Sequence, residues 1–173
     1  LPEHLLRKDR KTAAEVMGEI HSNPKPESRG GFVLEPISPS VCALTYACVL
    51  VPRFCEHLLL GDMVEKLRDW LPQLCIAFGW RLEHITVHPD YLEWMARIPP
   101  QTSPGYLMRI MRQHLSARIF EEFPRFKKEN PSGDFWAPGY LIVAGVQSPP
   151  AQLIRNHIDQ IRQQQGIYRR PEE

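Results

Sequence analysis

The chain has 173 residues, 43% of them hydrophobic and 24% charged, with a formal net charge of +1. This is the profile of one soluble globular domain with room for an appendage, and it is long enough to bury a core. The near-zero charge excludes a globally basic nucleic-acid binder, so any such site has to be a local patch. Cys42, Cys48, Cys55 and Cys75 show no CxxC spacing and sit in apolar runs. That favours buried free thiols in a reducing compartment over a disulfide frame or a zinc site. No apolar run reaches membrane-spanning length and no signal peptide is visible, so a cytoplasmic protein without a membrane partner is expected.

Residues 1–40 are expected to form an N-terminal extension. A short helix fits Lys11 to His21 and a short strand fits the region of Phe32 to Leu34, but Pro24, Pro26, Gly30, Gly31, Pro36 and Pro39 punctuate the rest. The main domain is placed at 41–166 and a C-terminal tail at 167–173. ALTYACVLV (Ala43 to Val51) reads as a buried strand stopped by Pro52, long and apolar enough to be an edge needing cover. Gly61-Asp62 opens a helix with Met63, Leu67, Trp70, Leu71, Leu74, Cys75 and Phe78 at helical spacing, and Gly79 closes it.

RLEHITVHPDYLEWMARIPP (Arg81 to Pro100) reads as two strands joined at His88-Pro89-Asp90. Alternation sends Leu92, Trp94, Ala96 and Ile98 to a core face and Tyr91, Glu93, Met95 and Arg97 to a mixed one. Ser103-Pro104 caps and opens a second helix. Leu107, Ile110, Met111, Leu115 and Ile119 share one side of it, with Arg109, Arg112, His114 and Arg118 largely on the other. GYLIVAGV (Gly139 to Val146) is the last strand, and a final helix carries Leu153, Ile154, Ile158 and Ile161. Strand, helix, strand, strand, helix, strand, helix is the split βαββαβ order, so the fold class expected is α+β: a ferredoxin-like antiparallel sheet with helices packed on it plus a C-terminal helix.

Four segments in register resemble the insertion-sequence 200/605 family of single-tyrosine transposases, HUH endonucleases related to the REP-associated tyrosine transposases. They are YACVLVPRF (Tyr46 to Phe54), PDYLEWMARIPP (Pro89 to Pro100), FEEFPRFKKENPSGDFWAPGYLIVAGV (Phe120 to Val146) and LIRNHIDQI (Leu153 to Ile161). The resemblance covers roughly Leu44 to Gln165 and leaves the N-terminal arm unexplained. It implies cleavage of single-stranded DNA by a tyrosine nucleophile, with a divalent metal held by two histidines spaced i, i+2 on a strand. It also implies a polar helper four residues after the tyrosine, and a homodimer.

This chain departs from that pattern. The histidine positions are Tyr91 and Glu93, the nucleophile position is His157, and the helper position is Ile161. Glu93 alone makes a poor site for a hard cation, and nothing visible would activate His157. The expectation is therefore a catalytically degenerate member with no catalytic residues and no cofactor, a divalent metal entering only if activity is retained. Arg109, Arg112, Arg118, Lys127, Lys128, Arg155 and Arg162 are candidate DNA-binding residues for a single-stranded or hairpin partner, with a solvated charged face as the plain alternative. His84 and His88, roughly 13 Å apart on an extended strand, read as surface or turn histidines. Tyr140 reads as sheet packing, and Trp136 as either packing or a stacking platform. Two rival functions stand beside this one: an active nuclease or transposase using Glu93 and His157, and a protein-interaction module, with the N-terminal extension as the contact to a protein partner.

Overall fold

Val41–Leu50 forms the central strand of the sheet among the described residues. The computed structural model describes residues 34–38 and 41–167, with side chains from residue 43 onward, all within the unit Gly31–Glu173. The helix expected over Lys11 to His21, Tyr168 and the C-terminal arginines after it lie outside the described residues. In chain order the elements are β1 (Leu34–Ser38), β2 (Val41–Leu50), α1 (Asp62–Ala77), β3 (Arg81–His88), β4 (Tyr91–Ile98), α2 (Pro104–Glu122), α3 (Pro124–Glu129), β5 (Leu141–Ala144) and α4 (Ala151–Gln164).

All pairings are antiparallel. β2 pairs β4 along one edge from Leu44↔Ile98 to Leu50↔Leu92, and β4 pairs β3. The other edge of β2 is shared by two strands: β1 covers Val41 to Leu44, and β5 covers Tyr46 to Val49. The order β5-β2-β4-β3 is that of the ferredoxin-like α+β fold, confirming the fold class. It also corrects one reading. The long apolar strand is central rather than an edge, which is why Ala47, Cys48, Val49, Leu50 and Val51 are all buried. A strand covered on both faces has no polar positions to alternate with.

The two faces hold separate cores. Cys48 and Leu50 of β2 and Leu92, Trp94, Ala96 and Ile98 of β4 pack with α1 and α2, through Leu67, Leu71, Leu107, Met111 and Leu115. On the opposite face Val49 and Val51 pack with Ile154, Ile158 and Ile161 of α4, flanked by Tyr91 and Leu141. The split of β4 into two faces is thus as read from its alternation. Trp70, Trp80, Trp94 and Trp136 are all buried, which assigns Trp136 to packing.

Ser103 accepts a hydrogen bond from the Tyr106 amide and caps α2 (3.1 Å), with Pro104 in its first turn. Pro124 does not only end α2. It opens α3, whose missing N–H costs nothing at a helix start. The last strand is shorter than the expected Gly139 to Val146 because Gly139 (φ 80°) and Gly145 (φ 132°) turn the chain at either end.

Candidate nucleic-acid interface

β4 and α4 meet across the second core, and their facing side chains form the candidate site. Tyr91 and Glu93 occupy alternate positions of β4 on the face toward α4. Glu93 is 5% exposed, flanked across the sheet by Val49 and Thr86. Its Oε1 has no hydrogen-bond partner among the described residues. Tyr91 is half-buried and stacks on His88, with ring centroids 4.1 Å apart. Desolvation by burial raises its phenol pKa, the nearby Glu93 and Asp90 add to the rise, and Arg155 opposes it. The phenol therefore holds its proton firmly and is a poor nucleophile at neutral pH.

From α4 come His157 and Ile161. His157 is half-buried, its Nε2 lacks a partner among the described residues, and burial lowers its pKa so that the neutral imidazole is favoured. Ile161 is buried in the apolar cluster, the expected role for its side chain at that position of the helix. A divalent cation here would have one carboxylate, one imidazole and one phenol to draw on. Among the described residues no three His, Cys, Asp or Glu side chains lie close enough together to hold a metal. Hard cations favour several carboxylate or carbonyl oxygens with water completing the shell, so one carboxylate beside an imidazole and a phenol is a poor fit for one. His84 and His88 are engaged separately, His84 Nε2 with Thr86 Oγ1 at 2.7 Å and His88 with Tyr91.

The seven candidate DNA-binding cations fall into groups with different surroundings. Arg112 donates to the carbonyls of Ala137 (2.8 Å) and Gly139 (2.7 Å) and to the Asp134 carboxylate (2.6 Å). Arg162 donates to the carbonyls of Pro52 (2.9 Å) and Arg53 (3.0 Å), tying α4 to the end of β2, and burial lowers its pKa. Arg155 pairs with Asp90 in the β3–β4 turn at 2.9 Å. Arg118 donates to Gln73 of α1 and lies over the Trp70 ring.

Arg109, Lys127 and Lys128 are exposed. Arg109 stacks over Tyr106, and the two lysines occupy the last turn of α3. The sequence reading set Arg109, Arg112 and Arg118 largely on one side of α2. At 100° per residue, Arg109 and Arg118 point in opposite directions. Arg118 and His114 accordingly meet α1, His114 edge-on to Phe78, while Arg109 and Arg112 meet residues 133–140.

That segment carried part of the family resemblance, but Asn130 and Asp134 were not singled out by sequence. Asp134 receives Arg112, Ser116 Oγ and the Trp136 amide, and buried Asn130 donates to the Asp134 carbonyl. The Asn-Pro-Ser-Gly-Asp run at 130–134 is a turn signal, but its partners on α2 are set by tertiary folding. Tyr140 is a correction: it is 39% exposed and precedes β5, so it lines a cleft against α2 rather than packing in the sheet. Cys55 is a second, being exposed where a buried thiol was expected, because the β2–α1 connection leaves the core there.

A profile of the family described as "Transposase IS200 like" matches residues 40–161. The chain belongs to the IS200-like transposase family. A curated relative, the ISDra2 transposase TnpA of Deinococcus radiodurans, is 22% identical over 113 residues, covering 65% of this chain and 81% of that protein. A crystal structure assigned as a transposase of Deinococcus radiodurans superposes with a TM-score of 0.63 at 21% identity, covering 79% of this chain and 98% of that one. This likeness is one of fold. A REP-associated tyrosine transposase solved bound to a REP hairpin aligns at 14% identity over 83% of this chain and 76% of that one, with a TM-score of 0.41. Among the described residues no helix is long and apolar enough to cross a membrane.

Proposed function

We propose that this IS200-like transposase binds single-stranded or hairpin DNA without cutting it. The observation that carries the reading is the composition of the β4–α4 site. Tyr91, Glu93, His157 and Ile161 stand where the family chemistry calls for two metal-binding histidines, a tyrosine nucleophile and a polar helper. A raised phenol pKa at Tyr91 agrees with it. The exposed cations Arg109, Lys127 and Lys128 supply phosphate contacts, whereas Arg112 and Arg162 act by holding the loops that shape the surface. A homodimer is part of the same reading, as is a protein partner reached through the N-terminal extension.

The test is binding of labelled single-stranded, hairpin and duplex DNA across a salt series, with and without chelator, beside a nicking assay in magnesium and manganese. Salt-sensitive binding to hairpin or single strand, indifferent to chelator and with no nicked product, is the expected result. Absence of binding to all three would reject the DNA reading in favour of a protein-interaction module.

The unpartnered Glu93 Oε1 and His157 Nε2 favour a second reading, a nuclease with unusual residues. Metal-dependent nicking abolished by His157→Ala would establish it.

A further inference from the structure

On the face of the sheet that carries α1 and α2, a cleft of about 390 Å³ separates the first turns of α2 from residues 133–140. Its floor is already satisfied, because Arg112, Ser116 and Asp134 spend their hydrogen bonds on one another and on the backbone. The groups left over lie at its rim. Arg109 is exposed and has no carboxylate partner among the described residues; its guanidinium is steadied over the Tyr106 ring at 5.3 Å. Gln113 is exposed beside it. Tyr140 is 39% exposed, and its hydroxyl has no partner among the described residues.

The Tyr140 hydroxyl lies close to Gly105, 3.7 Å from where a side-chain carbon would stand there, so the ring reaches from the loop towards the first turn of α2. The preceding residue, Gly139, takes a left-handed φ of 80° and has its carbonyl fixed by Arg112 at 2.7 Å. An exposed aromatic ring, an unpaired guanidinium and a free amide around one small cleft match the parts of a nucleotide: a base to stack, a phosphate to neutralise and a base edge to hydrogen-bond. The volume falls within the range of small-ligand clefts, about 300–1,000 Å³.

We propose that this cleft takes one unpaired nucleotide of a DNA strand, its phosphate on Arg109 and its base against Tyr140. The inference rests on the DNA-binding reading and deepens it. It locates a contact outside the β4–α4 site, on the other face of the sheet. A duplex cannot offer the base face that Tyr140 needs, so the cleft selects single-stranded segments, whether free or in a hairpin loop.

The experiment uses the full chain, a fluorescein-labelled thymidine 20-mer, and the same oligonucleotide carrying iodouracil for photo-cross-linking. Tyr140→Leu should weaken binding about 5- to 150-fold, the range expected for loss of one stacked base. Tyr140→Trp, which keeps a ring face, should restore it. Arg109→Gln should weaken binding and lower the salt slope by about 0.7, the value for one phosphate of a single strand. Cross-links should map to the peptide containing Tyr140. Wild-type binding unchanged in Tyr140→Leu, or cross-links confined to other peptides, would overturn the cleft and leave DNA binding standing. A wild-type protein that binds no single strand would overturn the cleft, and one that binds no hairpin either would overturn both.

Discussion

Cys48 and Cys75 lie in the core between the sheet and the helices, and burial pushes both thiols up, Cys75 to about 11. A protonated buried thiol is inert to alkylation, while Cys55 is exposed. In a Cys42→Ser background a maleimide at neutral pH should therefore label one thiol of the native protein, and all three after denaturation. Native labelling of two or more would contradict the packing of β2 against α1.

His157 titrates in the opposite sense, its pKa lowered by burial. The unfolded chain takes up this proton first, near the ordinary value of about 6.5. The contribution of His157 to stability is thus complete above that pH and is lost as the pH falls below it. The difference in Tm between about pH 7.5 and pH 5 should shrink in His157→Gln; an unchanged gap would place the acid sensitivity elsewhere. Arg112→Ala strips a cation from Asp134 and three backbone carbonyls and should cost about 2–3 kcal/mol in urea denaturation. Arg109→Ala, at an exposed position, should stay within about 0.5 kcal/mol of wild type. Sequence alone cannot separate these two arginines. They share a face of one helix, and the partners that distinguish them arrive 22 to 27 residues later in the chain.

Among the elements, what sequence made legible follows from local periodicity. The two faces of β4 and the apolar stripe of α1 came directly from spacing, because each position is decided by its own neighbours. The central place of β2 did not. An unbroken apolar run reports burial on both faces, but says nothing about which strands pair with its edges. The C-terminal helix was legible as an amphipath, whereas its location on the face opposite α1 and α2 depends on a β2–α4 contact more than 100 residues apart. That contact can be weighed. Ile158 is 5% exposed in the second core, and Ile158→Ala should destabilise the protein by about 2–4 kcal/mol. Tyr91 fluorescence offers no simple probe among so many aromatics, so the check is chemical denaturation.

For the molecule as a whole, residues 91, 93, 157 and 161, far apart in the chain, belong to two elements packed on one another. What the resemblance did not reveal is how the cations are spent. The salt dependence of DNA binding measures this. Lys127→Ala and Lys128→Ala should each reduce the slope of log K against log salt by about 0.7, the single-strand value per phosphate released. Arg162→Ala should act mainly through stability, because its guanidinium is committed to the Pro52 and Arg53 carbonyls.

The shared edge of β2 bears on where this protein can be cut. Leu34, Glu35, Pro36 and Ser38 pair with Leu44, Ala43, Cys42 and Val41, so the first residues of β2 obtain their neighbour from the segment just upstream. β5 reaches only as far as Tyr46 and cannot substitute. A fragment beginning at Val41 would keep every element from β2 onward and yet present a row of unsatisfied amides and carbonyls at one corner of the sheet. Such a fragment should elute as larger species in size-exclusion chromatography than one beginning at Gly31. The amino-terminal lead is, for these few residues, a guard against self-association.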